Sequence, residues 1–152
     1  MSQLAHHFLT HRSVTNTLVE KIEKSSYDYK PTETSMSAKT LVEHMYTSYY
    51  GFMKAVKEGN ASPITEKVEN TYETLIEFGK DLTDKTVELL DSLTEDELNR
   101  ELDTTHIFGA KVTGHALVYM ALEHEINHKG NLFVYLRLMG HTDLPLYVNP
   151  KA

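Results

Sequence analysis

Apolar side chains return at intervals of three and four along four long stretches of the chain, the spacing that places them on one face of an α-helix. In the first stretch, from about Ser2 to Ser25, Leu4, Phe8, His11, Thr15, Leu18 and Ile22 form one stripe. The stretch ends in Ser25-Ser26, and the segment from Tyr27 to Met36, which contains Pro31, reads as a loop. Ser37 is placed to cap a second helix carrying Leu41, His44, Met45, Ser48, Phe52 and Val56, with Gly59-Asn60 as its stop. After Pro63 a third stripe runs through Val68, Tyr72, Leu75, Gly79, Leu82, Thr86 and Leu90, with Asp81 and Lys85 outside it. Thr94-Glu-Asp-Glu97 has the form of a capping box, which predicts a short helix after Leu93 and then an irregular stretch from Asp103 to Val112. The fourth long helix is predicted from Thr113 to Met139, with Leu117, Ala121, His124, His128, Tyr135 and Met139 on its stripe and Gly140 ending it. The remaining residues form a tail docked by Leu144, Leu146 and Tyr147.

Four stripes of similar length with polar backs, without a competing strand pattern or an internal repeat, predict an all-α fold: an up-and-down type four-helix bundle in a single domain, residues 1–152. The 40% hydrophobic content, 7 Gly and 4 Pro fit one globular domain of this length. Charge and cysteine content narrow the chemistry. With 15 Lys+Arg against 22 Asp+Glu the net charge is −7 and no basic block stands out, so no nucleic-acid partner is expected. The chain has no cysteine, which removes disulfides, Cys-ligated zinc, iron–sulfur sites and any protein thiol nucleophile; sulfur chemistry here needs an exogenous thiol. The apolar run Ala116–Leu122 is far short of the roughly 20 residues a membrane span requires, so no membrane partner is expected. Without an export pattern at the N-terminus, a cytoplasmic location is the expectation.

The nine histidines are separated by position. His6, His106 and His141 fall off the stripes or in loops, and His115 in the first turn of the fourth helix; solvation accounts for all four. His124 and His128 are spaced i, i+4 in the middle of an apolar stripe, so both rings point inward from one helix face. Burying two imidazoles that can both protonate is costly unless something holds them neutral. A divalent metal does so, because neutral imidazole nitrogen is its ligand. Two core histidines bonded to each other or to tyrosines satisfy the spacing equally well. A second i, i+4 pair, His7 and His11, is also on an apolar edge and serves as a control. His44, on the second helix beside Leu41 and Met45, is placed to supply a third ligand from across the core.

His124-Glu-Ile-Asn-His128 matches the H-E-x-x-H signature of zinc metallopeptidases. The match stops there: no Glu follows His128, and Asn131 and Val134 stand where the extended motif needs Gly and His. A peptidase is not expected. Glu125 projects about 80° from the stripe's centre, which makes it a support for the ligands or a solvent-facing residue.

The stretch Leu122-Glu-His-Glu-Ile-Asn-His-Lys-Gly-Asn-Leu132, followed by Tyr135-Leu-Arg-Leu-Met-Gly140, resembles the signature of the DinB/YfiT-like proteins, and Ser37-Ala-Lys-Thr-Leu-Val-Glu-His44 resembles that family's second helix. The resemblance implies a left-handed, up-down-down-up-type four-helix bundle that is usually a homodimer, with a divalent metal ion such as Zn, Ni or Fe on three His. Carried over residue by residue, the ligands are His44, His124 and His128, and His7 and His11 are set aside. This chain departs from the commoner family wording at Asn127, Lys129 and Asn131. Asn127 projects about 80° from the middle of the stripe, so its being Asn removes no ligand, and the departures bear instead on any substrate contact shared with the family at these positions.

Three neutral imidazoles leave a divalent ion its charge and an open position. Water bound there is acidified, and an exogenous low-molecular-weight thiol replacing it is favoured as thiolate, ready to attack an electrophilic substrate. Some relatives are thiol S-transferases or thiol-dependent isomerases, so the resemblance implies a metal-dependent S-transferase. A hydrolase and a non-catalytic bundle stapled by its ion are the alternatives. No catalytic general acid or base is evident beyond the ligands, with Glu125 and Glu43 the nearby carboxylates. Tyr46, Tyr49 and Tyr50, next to Phe52, widen the second helix's apolar face, which suits core packing for at least two of the four and a pocket or dimer seam for the rest.

Overall fold

The computed structural model describes residues 1–152. Helix α1 spans Gln3–Val19, capped by the Ser2 hydroxyl, which accepts from the Ala5 amide. It ends several residues short of the predicted Ser25. The Lys21 and Ile22 amides reach back three residues to Leu18 and Val19, tightening the chain into turns that drop Ile22 into the core, and a 3-10 turn follows at Lys24–Ser26. Helix α2, Ala38–Glu58, starts at the expected Ser37 cap and stops at Gly59, whose φ of 75° suits glycine.

A short helix α3, Ser62–Thr65, precedes α4, Leu75–Ser92. The third helix therefore begins later than its apolar spacing predicts. Thr74 and Glu77 form a reciprocal capping box, and the Asn70 side chain accepts from the Tyr72 amide in a local turn that competes with helix. Thr94 and Glu97 make the predicted box at α5, Glu95–Asn99. The stretch read as irregular holds strands β1, Glu101–Asp103, and β2, Lys111–Thr113, paired antiparallel with Leu102 opposite Val112 around the short helix α6, Thr105–Phe108. The fold is thus mostly helical with one small ribbon, rather than purely α. Helix α7, Gly114–Leu138, starts one residue after the predicted Thr113, whose hydroxyl caps it by accepting from the Ala116 amide.

The four long helices form a closed ring of neighbours: α1 on α4, α4 on α2, α2 on α7 and α7 on α1. Named contacts fix their directions. The Ser2 amide donates to Asp91 at 2.6 Å while Arg12 reaches Thr83, so α1 and α4 are antiparallel. The Tyr46 ring lies on Gly79, where a methyl group would collide with it, and Lys57 donates to the Ser92 carbonyl, so α2 and α4 are parallel. The Tyr135 hydroxyl donates to the Met36 carbonyl at 2.9 Å, at the start of α2 and late in α7, so these two are antiparallel. Two apolar clusters fill the interior, one around Leu18, Met45, Phe78 and Leu136, the other around Phe8, Met53, Leu90 and Leu117.

A buried ion pair lies in the same interior. Arg12 of α1 and Glu125 of α7 are both 0% exposed. Arg12 Nε donates to Glu125 Oε1 at 2.8 Å and Nη2 to Oε2 at 2.5 Å, while the Thr15 hydroxyl donates to Oε1 at 2.9 Å. The guanidinium carbon stands 4.6 Å from the centre of the Phe8 ring and 4.7 Å from that of Tyr46, so the cation is sandwiched by aromatic faces. Glu125 is not solvent-facing. The deepest residues of α7 are Leu117, Ala121, Glu125, Lys129, Leu132 and Leu136, so the buried line follows the predicted stripe at Leu117 and Ala121 and passes one residue beyond it at Glu125 and Lys129, next to the partly buried His124 and His128. A line interrupted by Glu and Lys reads as an outside face in sequence, which explains the difference.

Removing one member of a buried pair strands the other's charge, at a cost of about 3–5 kcal/mol. Glu125→Gln or Arg12→Met alone is therefore expected to lower stability by about that amount in urea unfolding, and the double replacement to cost less than the sum of the two. Additive losses would show that the two side chains do not depend on each other.

Candidate metal centre

His44 rises from α2 two turns after its Ser37 cap, and His124 and His128 stand on successive turns of α7. The antiparallel packing of these helices brings the three rings together. His44 Nε2 lies 3.0 Å from His124 Nε2, and His128 Nε2 lies 3.1 Å from the same atom. All three ligating nitrogens fall within 4.8 Å of one another, and each residue is partly buried. Donors held about 2.1 Å from one ion stand roughly 3.0–3.4 Å apart for angles between 90° and tetrahedral, so the two spacings from His124 match those of ligands on a single divalent ion. Phe52 covers one side of the His124 ring at 6.3 Å between centroids, and Phe108 stacks on Phe52 at 5.9 Å.

Hydrogen bonding among the histidines does not account for this arrangement. A ring nitrogen offers one N–H or one lone pair along one direction, so His124 Nε2 can satisfy only one of the two nitrogens that approach it. The other side of the rings is equally spare: His44 Nδ1 has the Ser48 hydroxyl at 3.3 Å, and His128 Nδ1 is buried with no partner. No tyrosine serves them. The Tyr46 hydroxyl donates to Asn16 and that of Tyr135 to the Met36 carbonyl, while Tyr49 is buried against Phe8. A cation at the common point would satisfy all three Nε2 lone pairs at once, and the donor set is of the kind that zinc, nickel and iron accept.

The protonation state agrees. Burial pushes the His124 pKa down to about 4, helped by the neighbouring His128 and His44. Burial lowers His44, and burial with the nearby His44 lowers His128. All three rings are held neutral, which is the ligating form.

The control pair behaves differently. His7 is exposed, His11 is buried, and their rings meet edge to face at 5.5 Å. Instead of a third ligand, the Lys129 ammonium stands 2.9 Å from His11 Nδ1. Burial, with the Lys129 charge next in importance, pushes the His11 pKa down to about 4. His6 and His106 are exposed and His115 and His141 partly so, as their positions predict.

Neither carboxylate near the site is placed as a base. Glu125 is consumed by Arg12 and Thr15, and Glu43 accepts from the Asn70 amide at 2.8 Å. This geometry also disposes of the H-E-x-x-H peptidase reading, in which the Glu must be free to act on water. Tyr46, Tyr49 and Phe52 are core residues, with Tyr50 partly buried beside them. Three contributions escaped the sequence: Arg12, the buried Lys129, and a cavity of about 370 Å³ beside His128, lined by Met36, Leu41, Asn131, Val134 and Tyr135 among others. Asn127 faces solvent, so the family's His at that position is not missed as a ligand.

A model of the DinB family matches residues 1–152. The chain is 58% identical over 146 residues to "Uncharacterized protein YjoA" of Bacillus subtilis (strain 168), covering 96% of this chain and 95% of that protein. The crystal structure of a DinB-like protein, YjoA, from Bacillus subtilis is similar with a TM-score of 0.89 at 55% identity, covering 97% of this chain and 99% of the other. The mostly helical fold is that of a DinB-like protein.

Buried neutral histidines make stability depend on pH with a definite sign. A histidine in the unfolded chain titrates near pH 6.5, whereas His11 and His124 in the fold do so near 4. Below about pH 6.5 the unfolded state binds more protons, so stability falls as pH drops toward 4. The urea midpoint of chelator-treated protein is expected to be lower at pH 5 than at pH 7, a window mostly above carboxylate titration. An equal or higher midpoint at pH 5 would contradict the neutral burial of these rings.

Proposed function

The chain belongs to the DinB family, and on that premise we propose that it binds a divalent metal ion through His44, His124 and His128 and acts as a metal-dependent S-transferase using an exogenous low-molecular-weight thiol. The observation that carries the reading is the convergence of three imidazole nitrogens from α2 and α7. When bound, a divalent ion supplies Lewis acidity at an open position, which favours the deprotonated form of a thiol or water.

The chain's own residues do the rest. His44 is oriented by Ser48, and Phe52 with Phe108 shields one side of the site from water. The cavity beside His128 gives a second reactant a place next to the ligands. The chain supplies no thiol of its own, and no free carboxylate stands at the site to serve a hydrolase as base. A transfer between two bound small molecules therefore fits better than hydrolysis.

The proposal extends to the setting. An up-down-down-up four-helix bundle is supported by the helix directions given above. A homodimer is supported by Tyr119, Ile126 and Leu138, which are exposed along α7. No helix is long and apolar enough to cross a membrane, and the net charge of −7 opposes binding to phosphates. We place the protein in the cytoplasm.

A non-catalytic staple is the second reading, because an ion at this point would tie α2 to α7. One experiment separates the two. Conjugation of a small thiol to a chloronitrobenzene is expected to be accelerated by the protein and to fall at least tenfold on chelation and in His44→Ala. Conjugation that survives both rejects the transferase. A melting temperature lowered by chelation, with no turnover before or after, assigns the site to the staple.

A further inference from the structure

The cavity beside His128 differs chemically from the ligand cluster it adjoins. Its walls are Pro31, Met36, Leu41, Val134 and Tyr135, with Ser35, Asn131 and His128 as the polar members, and no Lys, Arg, Asp or Glu lines it. At about 370 Å³ it sits near the small end of the 300–1,000 Å³ typical of small-molecule sites. An ionised group entering it would shed hydration without meeting an opposite charge.

Two of its hydroxyls are already engaged, whereas His128 Nδ1 is buried without a partner. The Tyr135 hydroxyl donates to the Met36 carbonyl at 2.9 Å, and Ser35 Oγ pairs with Thr32 Oγ1 at 2.7 Å. The Asn131 amide makes no hydrogen bond within the chain and lies at the exposed mouth. Asn131 follows His128 by three residues and Tyr135 follows Asn131 by four, so all three lie along one face of α7. A molecule lying along that face meets Asn131 with its middle or far end while its near end approaches His128.

We propose that this cavity binds an uncharged small molecule with an apolar body and one amide-like or carbonyl group, which Asn131 holds, and that this molecule is the electrophilic partner of the transfer. The proposal deepens the transferase reading and rests on it. A thiol carrying carboxylates or an ammonium group finds no counter-ion in the cavity, so its charged parts remain outside. Asn131 then selects among neutral partners, because it both donates and accepts.

The test follows the methyl resonances of Met36 and Val134 during titration with benzamide, benzoate and benzylammonium, on the protein as isolated and after chelation. The two ions of opposite charge bracket any effect of the chain's overall charge. Benzamide is expected to shift both residues saturably in both preparations. In the chelated protein, where a carboxylate has no metal to bind, each ion should need at least tenfold more ligand. Asn131→Ala should weaken benzamide at least threefold without moving the melting temperature, since this side chain bonds to nothing in the fold. Absence of saturable shifts, or either ion binding as well as benzamide, overturns the assignment. Metal content measured on the same samples keeps the two readings apart. Metal present without benzamide binding removes the cavity assignment alone. Benzamide binding in a chain that never holds metal upholds the cavity and removes the metal reading instead.

Discussion

The bidentate pair between Arg12 and Glu125 sets the rotation of α7, and the candidate site follows from that rotation. Successive residues of a helix are turned by about 100°. With Glu125 fixed on the Arg12 fork and Lys129 one turn further on the same buried line, the residues immediately before each of them are turned toward α2. Those residues are His124 and His128. The pair is tolerable in an apolar interior because nearly every lone pair and proton is met, by Thr15 and Thr83 as well as by the partner, and because Phe8 and Tyr46 present their ring faces to the guanidinium. A second buried cation is met in the same way: Lys129 donates to the Tyr147 carbonyl of the C-terminal tail and contacts His11, and burial pushes its pKa down to about 8. The histidine cluster and the tail are thus anchored from one line of one helix.

The opposite wall is set by α2. The Ser37 cap fixes where that helix begins, and the bond from Tyr135 to the Met36 carbonyl fixes how far along α7 it lies. Together they place His44 level with His124. The three rings arrive neutral, crowded and short of hydrogen-bond partners, a costly arrangement for a core that needed only to be filled. Their half-buried position, next to an uncharged cavity, is instead what a reactive centre open to small molecules requires.

Much of this was legible in the chain. The caps at Ser37 and Thr94, the stop at Gly59 and the start of α7 next to Thr113 are local chemistry, and each is where the sequence puts it. The apolar spacing located four long helices because burial dominates their packing. It misjudged the start of α4, where the Asn70 turn and the Thr74 box override a continuing apolar stripe, and it overlooked a ribbon whose strands are three residues each. In the site, His44, His124 and His128 were reachable from spacing together with family resemblance. Arg12 and the depth of Glu125 were not, because a charged residue inside a core is recognised only by its partner, and the partner lies 113 residues away. The cavity draws Pro31, Ser35 and Met36 from a loop, where no periodicity announces a role.

Metal stoichiometry by native mass spectrometry tests the central claim most directly, on the wild type and on His124→Ala with its helical content checked by circular dichroism. The account predicts one divalent ion per chain in the wild type and none in the folded variant. A wild type that takes up no ion from any of zinc, nickel or iron, or a variant that keeps a full complement, would contradict it.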